Sequence, residues 1–537
     1  MGIPSFYKHL LQTIVGLTSK TRKSPNVLAL DLNCAIYHCV KKVKIPYRED
    51  TRTKWESELI QLVLAYVKQL HTIVQPTDVI YVAVDGVAPM AKIRQQRVRR
   101  FKSAVQAVQE ARIRAEARGV PYVPVERWDT NSITPGTIFM ANLAKALREY
   151  ANTNPKRIKV SPADEPGEGE QKIMDYLRKT QPADVVVYGL DADLIVLALW
   201  NGSVQNIQID LFREEVEFNG MVKQDVLGEE QFLYLDMKRL GDVLYDSYRK
   251  PGQSLSEFLT DFVALMNLLG NDFVPHGMSL KIRDEGVEKI LSLYKDIVAP
   301  LLLRKGETFQ YNPDTLKKIC SELANREADW MIKGIRKKLS TRIGSGPKRN
   351  AEEQALSCFN DSPVQWAAER GMVEEVRVPD MDKPQLRLKP TWERIYDEEA
   401  LWGADPKTVA RYYLESLTWT LAYYSGQPVD THWYYPWLLP PRFQTLVSCI
   451  GDELCAPNEE RSPLQPIEQL AMVLPQSSFS LLPSEYATLP RLYPFAWPIS
   501  WSLFSFGRRF LWECEPLIPL IQPSQIRDWI ERMYEEK

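Results

Sequence analysis

Three short apolar runs rich in β-branched residues end on, or just before, an aspartate. Val27–Leu30 stops at Asp31, Val79–Val84 at Asp85, and Val185–Tyr188 at Gly189, shortly before Asp191 and Asp193. Runs this short and this continuously apolar read as strands buried on both faces, as in a parallel sheet covered by helices. Long helical periodicities such as Trp55–Val74 lie between them. The pattern predicts an α/β chain with a twisted, mainly parallel sheet flanked by helices. In open sheets of that kind ligands bind outside the carboxyl ends of the strands, where these aspartates fall.

The stretch PGEGEQKIMDYLRKTQPADVVVYGLDADLIVLAL (Pro166–Leu199) sets four acids, Glu168, Glu170, Asp191 and Asp193, around one helix–strand unit. Its helix is expected over Gln171–Lys179, with acid in the first turn. Two carboxylates about 6 Å apart repel by roughly 3 kcal/mol at an effective dielectric near 20, so such a cluster needs positive charge. No Lys or Arg lies between Gly189 and Leu199. Oxygen ligands without nearby Cys or His select a hard cation such as Mg²⁺ or Mn²⁺. The plainer alternative is a helix N-terminus and a turn, each solvated separately. A further apolar helix, FLTDFVALMNLLGNDFVPH, turns at Gly270–Asn271 and presents Asp272. Seven acids, Asp31, Asp85, Glu168, Glu170, Asp191, Asp193 and Asp272, could then converge, the supply of carboxylates that a site holding two ions requires.

After Asp85 a single helix is expected from near Pro89 to Gly119. Its first turns carry Lys92, Arg94, Arg97, Arg99 and Arg100 with no acid among them. Lys92, Gln96, Arg99 and Arg100 fall at i, i+4, i+7 and i+8, on one face. A charge run is most often a solvated face. Position beside an acidic centre suits this one to hold a phosphate.

A net charge of −2 leaves nucleic-acid affinity to local patches, and 45% hydrophobic content over 537 residues supports two or more domains. Seven Cys without CxxC pairs argue for a reducing compartment and against structural zinc. No signal peptide or membrane-length apolar run is visible, so a soluble intracellular chain is expected. The N-terminal MGIPSFYKHLL reads as a turn entering an amphipathic helix with Phe6, Leu10 and Ile14 on one face.

The motifs MGIPSFY, LDLNCAIY, VDGVAPMAKIRQQRVRRF, NSITPGTIFM, PGEGEQKIM, GLDADLIVL and GNDFVPH occur in that order. In them the chain resembles the XRN family of 5′→3′ exoribonucleases, from Met1 to about Asp296 and again from about Tyr396 to Leu482, through LTWTLAYYSG, HWYYPW and PIEQLAMVLP. The resemblance implies a PIN/flap-nuclease-like core and metal ligands at the seven acids. It implies a 5′-phosphate pocket at Lys92, Gln96, Arg99 and Arg100, and a base-stacking aromatic from the second domain, with Trp433 the best candidate and Trp419 next. Two residues depart from it. Met90 stands where the family usually has Arg, and its stacking histidine aligns with Tyr37, His38 lying one residue further. The long C-terminal extension of large cytoplasmic members and the zinc knuckle of nuclear ones have no counterpart here.

The expected organisation is a nuclease domain over residues 1–325, a polar connector at 326–389 that includes GSGPKRN (Gly344–Asn350), and an α-rich second domain at 390–537. The expected reaction is processive, metal-assisted hydrolysis of RNA with a 5′-monophosphate end to mononucleotides, in RNA decay, with two Mg²⁺ or Mn²⁺ ions. Single-stranded RNA is the expected partner, with no membrane, and the chain is expected to be a cytoplasmic monomer. The competing readings are a structure-specific flap DNA nuclease, against which no helix–hairpin–helix-like GxG module is seen, and an idle RNA-binding scaffold, against which the intact acids speak.

Overall fold

The computed structural model describes residues 10, 14–189, 191–216, 222–225, 228–340, 350–360, 367–377, 384–451, 454–459, 461 and 463–535. Most of the N-terminal helix expected on Phe6 lies outside them, as do Leu190 and Gly344–Arg349; Leu10 and Ile14 are described and buried.

Seven strands, β1 (Thr18–Ser19), β2 (Val27–Asp31), β3 (Val79–Ala83), β4 (Ile158–Ser161), β5 (Asp184–Tyr188), β6 (Gln208–Glu214) and β7 (Phe232–Leu235), form one sheet in the order β1-β7-β6-β5-β2-β3-β4. The five strands from β6 to β4 run parallel, while β7 is antiparallel to β6 and β1 to β7. Alternation along the strands sends Val27, Ala29, Val185 and Val187 into one apolar layer, and Leu28, Leu30, Val186 and Tyr188 into the other. The sheet is thus buried on both faces, which is why its strands read as continuous apolar runs.

The helices of this region are α1 (Leu32–Val40), α2 (Arg52–Val74), α3 (Met90–Ala117), α4 (Ile138–Asn152), α5 (Gly169–Thr180), α6 (Asp193–Gln205), α7 (Met237–Tyr248) and α8 (Leu255–Met266). From β2 the chain winds outward through β3 and β4, then crosses to β5 on the other side. The winding direction therefore reverses at β2, the kind of switch point where open α/β sheets bind ligands beyond the strand ends. Register pairs Asp31 with Ala83 and Leu30 with Tyr188, so Asp31, Asp85 and the turn after β5 line one edge.

Beyond the sheet come α9 (Gly286–Lys295), α10 (Pro313–Leu339), α11 (Ala351–Asn360), α12 (Ala367–Met372), α13 (Trp392–Leu401), α14 (Pro406–Ser425), α15 (Phe443–Cys449) and α16 (Pro466–Val473). Helix α10 runs unbroken through residue 325, burying Leu316, Ile319, Leu323, Met331 and Ile335 at helical spacing. The described part of the segment expected as a connector continues α10, adds α11 and α12, and forms a hairpin of Val373–Val376 with Gln385–Leu388. Within it buried Lys338 and Glu369 pair at 3.0 Å. Among the described residues, much of the remaining polarity lies on outward faces of α10 and α11.

Helix α3 joins the two regions. Its buried Met90, Ile93 and Phe101 share an apolar cluster with Leu470, Trp497, Ile526 and Trp529. Arg97, almost fully buried, donates to the carbonyls of Met472, Ala496 and Pro519, and Arg94 to those of Pro436 and Trp437. Two cations of the basic run are thus clamps on the α-rich region rather than a solvated face. No helix among the described residues is long and apolar enough to cross a membrane.

Candidate active site

Each acid arrives by a distinct structural device. Asp31 closes β2 and stands at the N-cap position of α1. Asp85 follows β3 and is fixed by Asn33, whose side-chain amide donates to its carboxylate (2.8 Å) and accepts from its backbone N–H (3.0 Å). Glu168 is the N-cap residue of α5, and Glu170 lies in its first turn. Asp191 and Asp193 follow β5, with Asp193 opening α6. Asp272 comes after Gly270, whose φ of +87° only glycine adopts readily, so the chain turns sharply there.

Gly169 sets how closely the acids approach. Its N–H donates to Asp85 Oδ1 at 2.7 Å, and a Cβ built on it would lie 2.8 Å from Asp31 Oδ1 and 3.3 Å from Asp85 Oδ1. The backbone of α5 therefore touches two carboxylates that no side chain could sit between.

Crowding and burial leave clear electrostatic marks. Burial, with Asp85 and Asp191 adding to it, holds the Asp31 carboxyl well above the usual range. Burial likewise raises Glu170, with Glu168, Asp193 and Asp191 adding and Lys92 opposing. Asp193 is pushed up to about 7 by burial and by Asp272. Asp31 is only 6% exposed, and its Oδ1 has no hydrogen-bond partner among the described residues. A buried carboxylate oxygen without a donor is costly unless a cation takes its place.

Part of the compensating charge is supplied by the protein itself. The Lys92 ammonium lies 2.7 Å from Glu168 and 2.8 Å from Asp272. Burial alone would lower its pKa, yet Asp272 and Glu168 raise it well above normal. The same contact holds Asp272 below the usual range against the pull of burial. The stretch between Gly189 and Leu199 carries no cation of its own, and the lysine arrives from α3. Cys34, on α1, joins Asp31 and Asp191 in a group whose ligand atoms lie within 4.8 Å of one another.

The other members of the basic face spread along α3. Gln96 accepts from the Gln469 amide at 3.4 Å, and Gln469 accepts from Ala88 N–H at 2.9 Å, so α16 orients this amide. The Arg100 guanidinium is buried, which lowers its pKa to about 10. It donates to Thr134 Oγ1 at 2.6 Å, and no described carboxylate forms an ion pair with it. Arg99 is exposed, and Tyr37 lies near enough to Arg100 to act on its charge.

The model of the XRN 5′-3′ exonuclease N-terminus matches residues 1–215, and that of the Xrn1 helical domain matches residues 254–378 and 392–536. The chain belongs to the XRN family. It is 30% identical to a 5′-3′ exoribonuclease 2 homolog of Drosophila melanogaster over 93% of its own length and 64% of that protein. It is 27% identical to the 5′-3′ exoribonuclease 2 of Arabidopsis thaliana (98% and 66%) and to the 5′-3′ exoribonuclease 1 of Homo sapiens (99% and 34%). The chain thus spans about two thirds or less of these relatives.

Within this XRN chain the aromatic candidates divide. Tyr37 is 41% exposed on α1. His38 turns away, its ring 2.9 Å from Glu230 and packed 5.0 Å from Tyr66. Trp433 is 8% exposed, stacks on Trp419 at 5.7 Å, and donates its indole N–H to Glu415 at 3.3 Å. Trp419 is fully buried between Trp433 and Tyr423. Trp433, Trp419 and Tyr423 thus form a three-ring stack, with Trp419 in the middle. Sequence reasoning also missed Tyr423, whose hydroxyl donates to Glu168 at 2.8 Å. Nothing local in LTWTLAYYSG marks it, since its partner lies on α5. Asn33 was more legible, two residues after Asp31 at the mouth of the same helix.

Proposed function

We propose that this chain hydrolyses RNA from a 5′-monophosphate end, releasing mononucleotides, with hard divalent cations, two Mg²⁺ or Mn²⁺, held by Asp31, Asp85, Glu168, Glu170, Asp191, Asp193 and Asp272. The observation that carries the reading is the buried, unpartnered Oδ1 of Asp31 inside a cluster of acids whose charges the protein only partly offsets. The names of the XRN relatives support the substrate and the polarity. At such carboxylates hard divalent cations supply Lewis-acid polarisation of the scissile phosphate and charge compensation for in-line attack.

The protein's own groups perform the remaining work. Asn33 and the Gly169 N–H fix Asp85, Tyr423 orients Glu168, and Lys92 ties Glu168 to Asp272. Further along α3, Gln96, Arg99 and Arg100 offer one amide and two guanidinium groups to a terminal phosphate. Arg100 is the strongest of these, because it is a buried cation without a carboxylate partner, and an anion would restore its balance. Tyr37, exposed beside it, offers a face for the first base.

The test compares RNAs of one sequence ending in 5′-monophosphate, 5′-triphosphate or 5′-hydroxyl, and the matching DNA, each with Mg²⁺. Fast degradation of the monophosphate RNA alone is expected. Equal rates on all four substrates, or preference for DNA, would overturn the assignment.

A further inference from the structure

Helix α16 meets α3 through the side chain of Gln469, which is 1% exposed. Its Oε1 accepts from the backbone N–H of Ala88 at 2.9 Å, and its Nε2 donates to Gln96 Oε1 at 3.4 Å. A side-chain amide has one accepting oxygen and one donating NH2, so a single partner of known direction fixes both ends. The Ala88 N–H can only donate. Gln469 must therefore turn its oxygen to Ala88 and its NH2 to Gln96, and Gln96 must answer with its oxygen. Gln96 keeps its NH2 as a spare donor, from which nothing among the described residues accepts. One turn along α3, Arg100 is set by the same logic. Thr134 Oγ1 gives its proton to the Asn131 carbonyl at 2.6 Å, so it meets the Arg100 guanidinium, also at 2.6 Å, with a lone pair. Gln96 and Arg100 fall at i and i+4 on one face, and both present donors.

We propose that Gln469 is a positioning residue for the RNA 5′ end: it turns the Gln96 NH2 toward the terminal phosphate and holds the Gln96 oxygen away from it. The proposal rests on the phosphate-pocket reading given above. A phosphate monoester carries about 1.5 to 2 negative charges near pH 7 and offers accepting oxygens. An NH2 facing it makes a charge-assisted hydrogen bond, whereas an amide oxygen facing it repels. Left to itself, Gln96 could present either end, because the last torsion of a glutamine is broad and two-fold. The two orientations are nearly equal in shape, so the wrong one loses the phosphate contact and little else. In this way the α-rich region takes part in reading the RNA end without touching it.

The test measures equilibrium binding of the whole chain, in chelator, to one short RNA with a 3′ fluorophore and either a 5′-monophosphate or a 5′-hydroxyl end. The readout is the preference for the phosphorylated end, the ratio of the two dissociation constants. Gln469→Glu keeps the acceptor for Ala88 and loses the donor for Gln96, so Gln96 turns its NH2 to the new carboxylate and its oxygen to the phosphate. At about pH 9 the introduced carboxyl is ionised even with its pKa raised by burial. The preference should fall about tenfold or more, the loss of one charge-assisted hydrogen bond, while 5′-hydroxyl affinity stays native and reports a folded sample. Gln469→Met, uncharged and of similar size, should lower the preference by a smaller factor and serves if the buried charge prevents folding. Gln96→Met should lower it as Gln469→Glu does, and the double variant should fall no further. An unchanged preference in Gln469→Glu, or in Gln469→Met should the former not fold, or additive losses in the double variant, would overturn the proposal; a fall in Arg100→Ala would then leave the pocket standing. A native chain without preference for the phosphorylated end would overturn the pocket reading and this proposal with it.

Discussion

Replacing Gly169 with Ala isolates the geometry of the carboxylates from the stability of the fold. The added methyl would sit 2.8 Å from Asp31 Oδ1, about 0.6 Å inside the 3.4 Å at which ordinary contact begins. The glycine opens α5, where Ala is the better helix former by up to about 1 kcal/mol, so the helix itself does not suffer. What must yield is the short side chain of Asp31. A misplacement near 1 Å can cost about a hundredfold in rate, so a shift of roughly half that should cost about tenfold or somewhat more, near 1.4 kcal/mol in the barrier. The assay pairs a thermal melt with steady-state cleavage of 5′-monophosphate RNA across a Mg²⁺ titration. A melting temperature close to native, with slower cleavage and a right-shifted Mg²⁺ requirement, is expected. Native cleavage and metal dependence in Gly169→Ala would show that Asp31 Oδ1 has no part in the chemistry.

Lys92→Ala leaves Glu168 and Asp272 buried without their cation and should destabilise the fold by about 3–5 kcal/mol in denaturant melts without metal. Mg²⁺ should restore much of the loss, and an unchanged metal-free midpoint would contradict the charge account. Arg100→Ala should lose about 1.5–3 kcal/mol of binding, tenfold or more, on 5′-monophosphate RNA but little on 5′-hydroxyl RNA; equal losses that track salt would make this face a general backbone contact. Glu327 on α10 accepts from the Phe443 N–H at 3.0 Å, and burial pushes its carboxyl from 4.5 up to about 8. Its folded pKa lies above the unfolded one, so its contribution is complete below about pH 4.5 and is lost as pH rises through 8. Glu327→Gln keeps an acceptor oxygen and should gain stability over the native chain across that window, by at most about 1.4 kcal/mol per pH unit; parallel pH–stability curves would refute the shift.

The strands and the acids at their ends were legible because local signals and tertiary demands coincide. A doubly covered parallel strand must be apolar throughout, and a polar residue at its end stands out. The helix expected from Gln171 begins two residues earlier, at Gly169, and the one expected near Pro89 begins at Met90. Partners supplied from distant elements were not legible. Lys92 reads as one member of a basic run, and only the tertiary approach of its ammonium to Glu168 and Asp272 turns it into their counter-charge. Arg94 and Arg97, identical to their neighbours in composition, end on carbonyls of the α-rich region. Trp433, which the resemblance implies as a stacking residue, packs on Trp419 in a stack that also holds Tyr423, an arrangement no local signal marks.

The central claim is a metal-dependent attack that starts at the 5′ end, and one time course tests it most directly. An RNA carrying a ³²P 5′-monophosphate and a fluorophore at its 3′ end is incubated with the purified chain and Mg²⁺. The account requires labelled mononucleotide as the first 5′ product while the fluorescent species persist to the end, no reaction in chelator, and none with Asp193→Asn. Early release of the fluorophore, internal fragments before mononucleotide, or cleavage that survives chelation would contradict it.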